Sequence, residues 1–184
     1  AGCSQVDDIV SNVTAAGVFP VEVNGVTISS RPSRVVVLSP SLADVILALG
    51  CETQLAGASE ACTQSALDEL EKVSADSVEA IQAMPGLDFV RDDLFGALEE
   101  AGVTVLSVEP ATDRSDFERL YSQVSSALLG GEAGYDEGIA TAQDIFITLD
   151  NINRIVPKET VTTACYLYDL DGTAVTGDMF ASTL

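Results

Sequence analysis

Residues 35–41 read Val35-Val36-Val37-Leu38-Ser39-Pro40-Ser41, an apolar run that ends in a serine and proline turn. A continuous apolar run of this length is typical of a strand buried on both faces, as in a parallel sheet. A helix is predicted directly after the turn, because apolar residues recur at helical spacing up to Leu49 and Gly50 can end the helix. The stretch therefore predicts the first parallel strand and helix of an α/β domain.

The α/β pattern extends in both directions along the chain. Residues 21–28 alternate around Asn24-Gly25, a dipeptide typical of a tight hairpin turn. Strands are predicted at 55–58, 87–90 and 103–108, and helices at 64–72, 78–81, 94–101 and 113–129. Strands that alternate with helices in this way predict right-handed βαβ units. The fold class expected is α/β, with a doubly wound, mostly parallel sheet.

Polar residues follow the predicted parallel strands. Ligands bind beyond the carboxyl ends of the strands in such sheets, so we predict a polar ligand-binding rim there. Its candidate ligand-binding residues are Ser39, Ser41, Ser59, Glu60, Arg91 and Glu109, with Asp92 and Thr112 beside them. Arg91 is expected either to bind anionic oxygens or to pair with Asp92 or Asp93 at the surface. Ser39 or Ser41 is also expected to cap the helix that follows.

A long helix is predicted at residues 132–156, with apolar residues along one side. About 25 residues at 1.5 Å each would span nearly 40 Å, about the length of a small domain. A new strand is predicted after it, and only 17 residues follow Leu167. The helix is therefore interpreted as a connector between two lobes. The expected domains are a tether at 1–19, an N-terminal lobe at 20–131, the connecting helix at 132–157 and a truncated start of the C-terminal lobe at 158–184.

Composition excludes several classes of function. The chain has 8 Lys and Arg against 29 Asp and Glu, a net charge of −21, which disfavours a nucleic-acid surface. It has no His, the commonest zinc ligand and general base, and its four cysteines show no CxxC spacing. No apolar run reaches the roughly 18 residues that a membrane helix needs. We therefore expect no metal site.

The cysteines suggest one modification. Ala1-Gly2-Cys3 is similar to the end of a bacterial lipoprotein cleavage signal, with Cys3 as the lipidated residue. The polar residues 4–17 would then form a tether from the membrane. Cys51 and Cys62 flank a predicted strand, so a disulfide between them is not expected.

Residues 166–173 suggest an alternative, enzymatic function. A strand followed by Asp-Leu-Asp-Gly-Thr is similar to the first motif of haloacid dehalogenase-type phosphatases, with Asp169 as nucleophile and Asp171 as general acid. Those enzymes need a lysine and further acidic residues downstream, and no lysine follows here. An Asp-Gly turn between two strands is the favoured interpretation. A non-catalytic protein-interaction module is a third possibility.

The order of the segments also resembles a known family. The matching segments are residues 31–36 (Arg-Pro-Ser-Arg-Val-Val), 38–41 (Leu-Ser-Pro-Ser), 48–50 (Ala-Leu-Gly), 55–62, 77–81 (Ser-Val-Glu-Ala-Ile), 98–103, 171–173 and 177–180. Together they resemble the solute-binding proteins of bacterial ABC importers whose two lobes are joined by one rigid helix. That family serves ferric siderophores, haem and vitamin B12.

The resemblance implies a binding function, with no cofactor and no enzyme activity. The protein would capture an iron–siderophore, haem or corrinoid-type ligand outside the cytoplasm and deliver it to an ABC permease. Glu79 matches the family's glutamate that docks the first lobe onto an arginine of the permease. With Cys3 lipidated, the protein would be anchored to the cell membrane on its periplasmic or outer face.

Overall fold

The computed structural model describes residues 17–74, 87–89, 100 and 102–155, with residues 87–89 described by their backbone. The chain opens with an antiparallel hairpin of β1 (Val21–Val23) and β2 (Val26–Ile28). Asn24 and Gly25 form its turn with φ of 49° and 79°, the left-handed conformation that this dipeptide tolerates best. The predicted hairpin is confirmed.

A five-stranded parallel sheet forms the centre of the structure. Its strands lie in the order β5-β4-β3-β6-β7, and every neighbouring pair is parallel. They are β3 (Val35–Val37), β4 (Leu55–Ser59), β5 (Glu71–Val73), β6 (Leu87–Phe89) and β7 (Thr104–Val105). All three residues of β3 are buried, as the apolar run predicts. The predicted mostly parallel α/β sheet is therefore confirmed.

Three helices complete the described structure: α1 (Pro40–Ala48), α2 (Arg114–Leu129) and α3 (Gly131–Ile155). Asp113 caps α2 by accepting a 2.8 Å hydrogen bond from the backbone N–H of Asp116. Gly130, with φ of 96°, ends α2, and α3 begins at the next residue. The bounds predicted for these two helices are correct to within one residue. Within the described part of the chain, no helix has the length and apolar character that crossing a membrane requires.

Two predicted elements differ from the structure. Residues 64–72 were expected to form a helix, but they contain a short 3₁₀ helix, Ser65–Leu67, followed by the start of β5. Leu67, Leu70 and Val73 are spaced by three residues, which mimics a helical pattern. Instead β5 is an edge strand, where exposed charged side chains are tolerated. The strand predicted at 103–108 is also shorter, covering only Thr104–Val105.

The backbones of α2 and α3 approach each other at two glycines. A Cβ atom on Gly138 would lie 2.5 Å from the carbonyl oxygen of Tyr121, and one on Gly134 would lie 2.6 Å from that of Ser125. Ala142 and Phe146 continue the same four-residue spacing and are buried. The repeat of small residues lets α3 pack along α2, and the sequence interpretation did not use it.

Near the edge from which the strands start, a polar side chain and a glycine contact parts of the chain that are distant in sequence. The buried Gln54 donates hydrogen bonds from Nε2 to the carbonyls of Pro32, 2.6 Å, and Leu128, 2.9 Å. Gly17 lies against the junction of α2 and α3, where a Cβ on it would fall 1.9 Å from the carbonyl oxygen of Leu129. Residue 17 therefore lies near the C-terminal end of α2, which Gln54 joins to the edge where the strands start.

Cys51 and Cys62 are buried free thiols. They lie on either side of β4, as predicted. Burial raises the pKa of both thiols above the ordinary value. Both side chains therefore remain protonated and unreactive at neutral pH.

Gly138→Val should destabilise the fold. The new side chain overlaps the α2 backbone, and such overpacking costs about 1–3 kcal/mol of unfolding free energy. Ala140→Val is the matched control, because Ala140 is exposed on the same helix and loses only about 0.7 kcal/mol or less of helix propensity. Urea denaturation followed by circular dichroism measures both. Equal losses in the two variants would contradict close packing at Gly138.

Candidate functional site

The strand order has a topological switch point at the carboxyl edge of the sheet, between β3 and β6. From β3 the chain moves to β4 and β5 on one side, then returns to β6 on the other side of β3 and continues to β7. The connections after β3 and β6 therefore diverge from adjacent strands. In open α/β sheets this switch point is where ligands bind. Ser39 and Ser41 follow β3 directly, so they lie at this position.

The serine cap predicted at the start of α1 is confirmed in position only. Ser39 occupies the N-cap position, but its side chain makes no capping hydrogen bond. Pro40 at the first helical position presets the helical φ and lacks an N–H that would need a cap. Ser39 is half-buried, and Ser41 is exposed in the first turn.

Ser59 and Glu60, at the turn after β4, have side chains in different environments. Ser59 is only 2% exposed, and its Oγ accepts a 3.2 Å hydrogen bond from the N–H of Ala61. The backbone N–H of Glu60 donates to the carbonyl of Val73 on β5 at 3.0 Å, while its side chain is exposed. Ser59 thus shapes the turn, and Glu60 presents a carboxylate at the rim.

Gln64 joins this turn to α1. Its Nε2 donates to the carbonyl of Pro40 at 2.9 Å and to Oδ1 of Asp44 at 2.8 Å. Its Oε1 is buried and has no hydrogen-bond partner among the described residues. The sequence interpretation missed Gln64 because it fell in the helix wrongly predicted at 64–72. A polar residue just after a strand of a parallel sheet is the signal that could have identified it.

A polar concavity of about 710 Å³ lies beyond β7, at the far end of the rim. Glu109 and Thr112, both predicted rim residues, line it. The other lining residues are Asn24, Ser107, Pro110, Asp116, Arg119 and Gln123. The structure therefore brings the end of β7, the hairpin turn and α2 together, which the sequence pattern alone did not indicate.

Asn24 and Gln123 attach the hairpin to this concavity. Asn24 Nδ2 donates to the carbonyl of Ser107 at 2.9 Å, and Gln123 Nε2 donates to Asn24 Oδ1 at 2.8 Å. Asn24, which was predicted to be a turn residue, thus also attaches the hairpin to α2. This contact defines one wall of the concavity.

Two charged groups of the concavity, Asp116 and Arg119, are engaged with each other and with other groups of the chain. Asp116 Oδ2 accepts from the hydroxyl of Thr112 at 2.6 Å and from its N–H at 3.1 Å. These hydrogen bonds hold the pKa of Asp116 below its ordinary value. Arg119 approaches Asp116 at 3.6 Å and also donates, at 3.3–3.4 Å, to Gln123 and to the carbonyl of Glu109. Arg119 is therefore held over the concavity by acceptors of the chain itself.

The rim has two separate parts. Ser39, Ser41, Ser59 and Glu60 lie at β3 and β4, and Glu109 lies beyond β7. Strands in a sheet are about 4.8 Å apart, so β3 and β7, with β6 between them, are about 10 Å apart. A small molecule can span that width. Arg91, Asp92, Glu79, Cys3, Asp169 and Asp171 lie outside the described residues.

Among residues 17–74 and 102–155, no group of three or more His, Cys, Asp or Glu side chains is arranged to hold a metal ion. The described rim offers groups for hydrogen bonds and charge interactions. Its hydroxyl and carboxylate groups come from loops that the parallel strands position.

Solved structures with this fold include three binding proteins. The haem-binding protein HmuT gives a TM-score of 0.66 at 17% identity, covering 87% of this chain and 57% of HmuT. A possible iron-binding (periplasmic solute-binding) protein from Staphylococcus epidermidis gives 0.59 at 18% identity, over 71% of this chain and 54% of its own. The periplasmic vitamin B12-binding protein BtuF of Vibrio cholerae gives 0.53 at 18% identity, over 68% and 51%.

The fold is thus that of the periplasmic solute-binding proteins, and the resemblance predicted from the sequence is confirmed at the level of fold. The chain spans between 51% and 57% of the length of these three structures. No family model matches the sequence, and no curated protein matches it.

Thr112→Val should raise the pKa of Asp116 toward that of an ordinary carboxyl, because the hydroxyl that stabilises its charged form is lost. A lowered folded-state pKa stabilises the fold above the unfolded-state pKa, and this contribution disappears as the pH falls through the lowered value. A carbon-13 NMR titration of the Asp116 carboxyl checks the shift. Thr148→Val is the control, since Thr148 donates to a backbone carbonyl. An unchanged pKa of Asp116 in Thr112→Val would contradict the role given to the Thr112 hydroxyl.

Proposed function

We propose that this protein is the substrate-binding component of an ABC importer. It binds a small-molecule ligand between two lobes, at the carboxyl edge of the parallel sheet, and performs no covalent chemistry. The switch point between β3 and β6 is the observation that carries the proposal, since ligand crevices form at such points in open α/β sheets and Ser39 and Ser41 follow β3 directly. The proposed ligand contacts are Ser39, Ser41, Ser59, Glu60, Arg91 and Glu109.

The ligand class is proposed by analogy of fold. The neighbouring structures are described as binding haem, as possibly binding iron and as binding vitamin B12. We extend these classes to this chain as a ferric siderophore, haem or a cobalamin. The rim width of about 10 Å, set by two strand spacings, is compatible with ligands of this size.

The second lobe is proposed from the length of α3. Its 25 residues run beside the 16 residues of α2, and Asp150 of α3 pairs with Arg114, the first residue of α2. Residues 151–155 therefore extend beyond α2 at its N-terminal end, and all five are exposed. We propose that residues 132–157 connect the lobe formed by 20–131 to a second lobe beginning at 158–184.

The site of action is proposed to be extracytoplasmic. Periplasmic neighbours of the same fold support that location. Lipidation of Cys3, with residues 1–19 as the tether, would hold the protein at the membrane beside its permease. Glu79 would then meet an arginine of the permease, a contact that fixes the register of docking more than it adds affinity.

The ligand-binding proposal is tested by titrating the full-length protein with a ferric siderophore, haem and cyanocobalamin, followed by calorimetry. Ser41→Arg should lower the affinity by about 10-fold or more, because a large side chain then fills the switch-point crevice. Thr53→Arg introduces the same side chain at an exposed position just before β4, at the opposite edge of the sheet, and should leave affinity unchanged. A wild-type protein that binds none of the three ligands would defeat the proposed function.

Permease docking is tested by Glu79→Ala. Uptake by cells should fall several-fold while the purified variant keeps its ligand affinity, because docking and ligand binding use different surfaces. Glu71→Ala, an exposed glutamate on the edge strand β5, is the control. Uptake that is unchanged in Glu79→Ala would rule out the docking role.

A further inference from the structure

The last contact between α3 and α2 is an arginine clamp. Arg114 Nη1 and Nη2 donate to the two carboxylate oxygens of Asp150 at 3.1 and 2.7 Å. The Arg114 guanidinium also lies over the ring of Phe146, 4.8 Å from its centroid. Phe146 in turn packs against Phe117 of α2, with 5.1 Å between ring centroids. One side chain of α2 therefore holds two residues on adjacent turns of α3.

These contacts require arginine in particular. A guanidinium is planar, so it can donate two parallel hydrogen bonds to a carboxylate and stack on an aromatic ring at the same time. A lysine ammonium keeps the charge but cannot reproduce both contacts. Hydrogen bonding between the partners raises the pKa of Arg114 and lowers that of Asp150, so the pair stays charged at neutral pH.

The clamp and the glycine contacts define the direction of α3. Gly138 is pressed against α2, which makes it a pivot. Because a helix rises about 1.5 Å per residue, Asp150 lies about 18 Å further along α3. Ala142 and Phe146 are also buried between these two fixed points, so the clamp is the outermost of several contacts that orient α3. If α3 tilted about Gly138, a point twice as far from Gly138 as Asp150 would move sideways twice as far as Asp150 does.

The two fixed points differ in strength. Gly138 is buried, and its contact is with backbone, so it cannot move without repacking the interface. The side chains of Arg114 and Asp150 are 41% and 52% exposed, so their pairing contributes little to the free energy of folding. The clamp is therefore suited to setting orientation and not to holding the fold together.

We propose that Arg114 is a positioning residue for ligand binding. Through Asp150 and Phe146 it fixes the direction in which α3 leaves the first lobe, and so it sets how the second lobe faces the rim. This inference rests on the proposed two-lobe function. It adds that the geometry of the cleft is controlled from a residue on the helix surface, away from the ligand.

The direction of α3 is measured in the complete, ligand-free protein by electron spin resonance. Spin labels are attached through a keto amino acid in place of Glu52, at the amino edge of the sheet, and Ile155, at the end of α3. Both positions are exposed, and the keto group avoids the thiols of Cys51 and Cys62. The width of the distance distribution reports how firmly α3 is oriented.

Arg114→Gln and Arg114→Lys should each widen this distribution by about two-fold, because neither side chain can pair with Asp150 and stack on Phe146. Arg154→Gln is the matched control, since Arg154 also lies on α3 but contacts Asn151 of the same helix. Asp150→Asn tests the clamp from its other side and provides a second variant if Arg114→Gln folds poorly. The melting temperature should change little in any of them.

A distribution that keeps its width in Arg114→Gln and Asp150→Asn would overturn the proposal, as would equal widening in Arg154→Gln. The same variants are then titrated with whichever of haem, a ferric siderophore or cyanocobalamin the wild type binds. Arg114→Gln should bind several-fold more weakly and Arg154→Gln as well as wild type, and equal affinities would also overturn the proposal. A wild type that binds no ligand counts against the proposed function, while the ligand-free distances still test the clamp.

Discussion

The backbone contact between α2 and α3 at Gly134 and Gly138 is the constraint on which the rest of the structure depends. Glycine inside a helix costs about 1 kcal/mol relative to alanine, so two such positions disfavour an isolated α3 by about 2 kcal/mol. Packing against α2 must offset this cost. The same approach brings Phe146 into the aromatic contact and Asp150 beside Arg114. The close approach of the two backbones at these glycines therefore makes the contacts of Phe146 and Asp150 with α2 possible.

Much of the architecture could be predicted because local patterns and tertiary structure agree. The apolar run of β3 matches a strand buried on both faces, and Gly130 ends α2 at the predicted position. Asn24-Gly25 forms the expected turn. In each case a short segment carries a signal with one dominant structural solution. The periodicity of α3 was similarly clear over its whole length.

The sequence was less informative where distant segments meet. Leu67, Leu70 and Val73 mimic helical spacing, yet pairing with β4 places residues 71–73 in an edge strand. The rim residues were predicted from the ends of strands, and Glu109 and Thr112 do line one concavity. Arg119, Gln123 and Gln64 were missed because their roles depend on contacts that no local pattern encodes.

The described rim has a definite chemical character. Arg119 and Lys72 both donate to acceptors of the chain itself, Lys72 to the carbonyl of Cys62 at 2.8 Å. Ser39, Ser41, Glu60 and Glu109 present hydroxyl and carboxylate groups. Under the proposed function, these groups would contact neutral hydrogen-bonding or cationic groups of a ligand. Arg91, which lies outside the described residues, is the proposed contact for anionic groups.

The packing of Gly17 against the α2–α3 junction has a practical consequence. Gly17 lies near the amino edge of the sheet, whereas the proposed crevice lies at the carboxyl edge. An affinity tag, a fluorophore or a sensor chip joined to the N-terminal side of residue 17 is therefore attached at the pole remote from the crevice. Immobilisation through that end leaves the crevice facing the bulk solution and open to diffusing solutes.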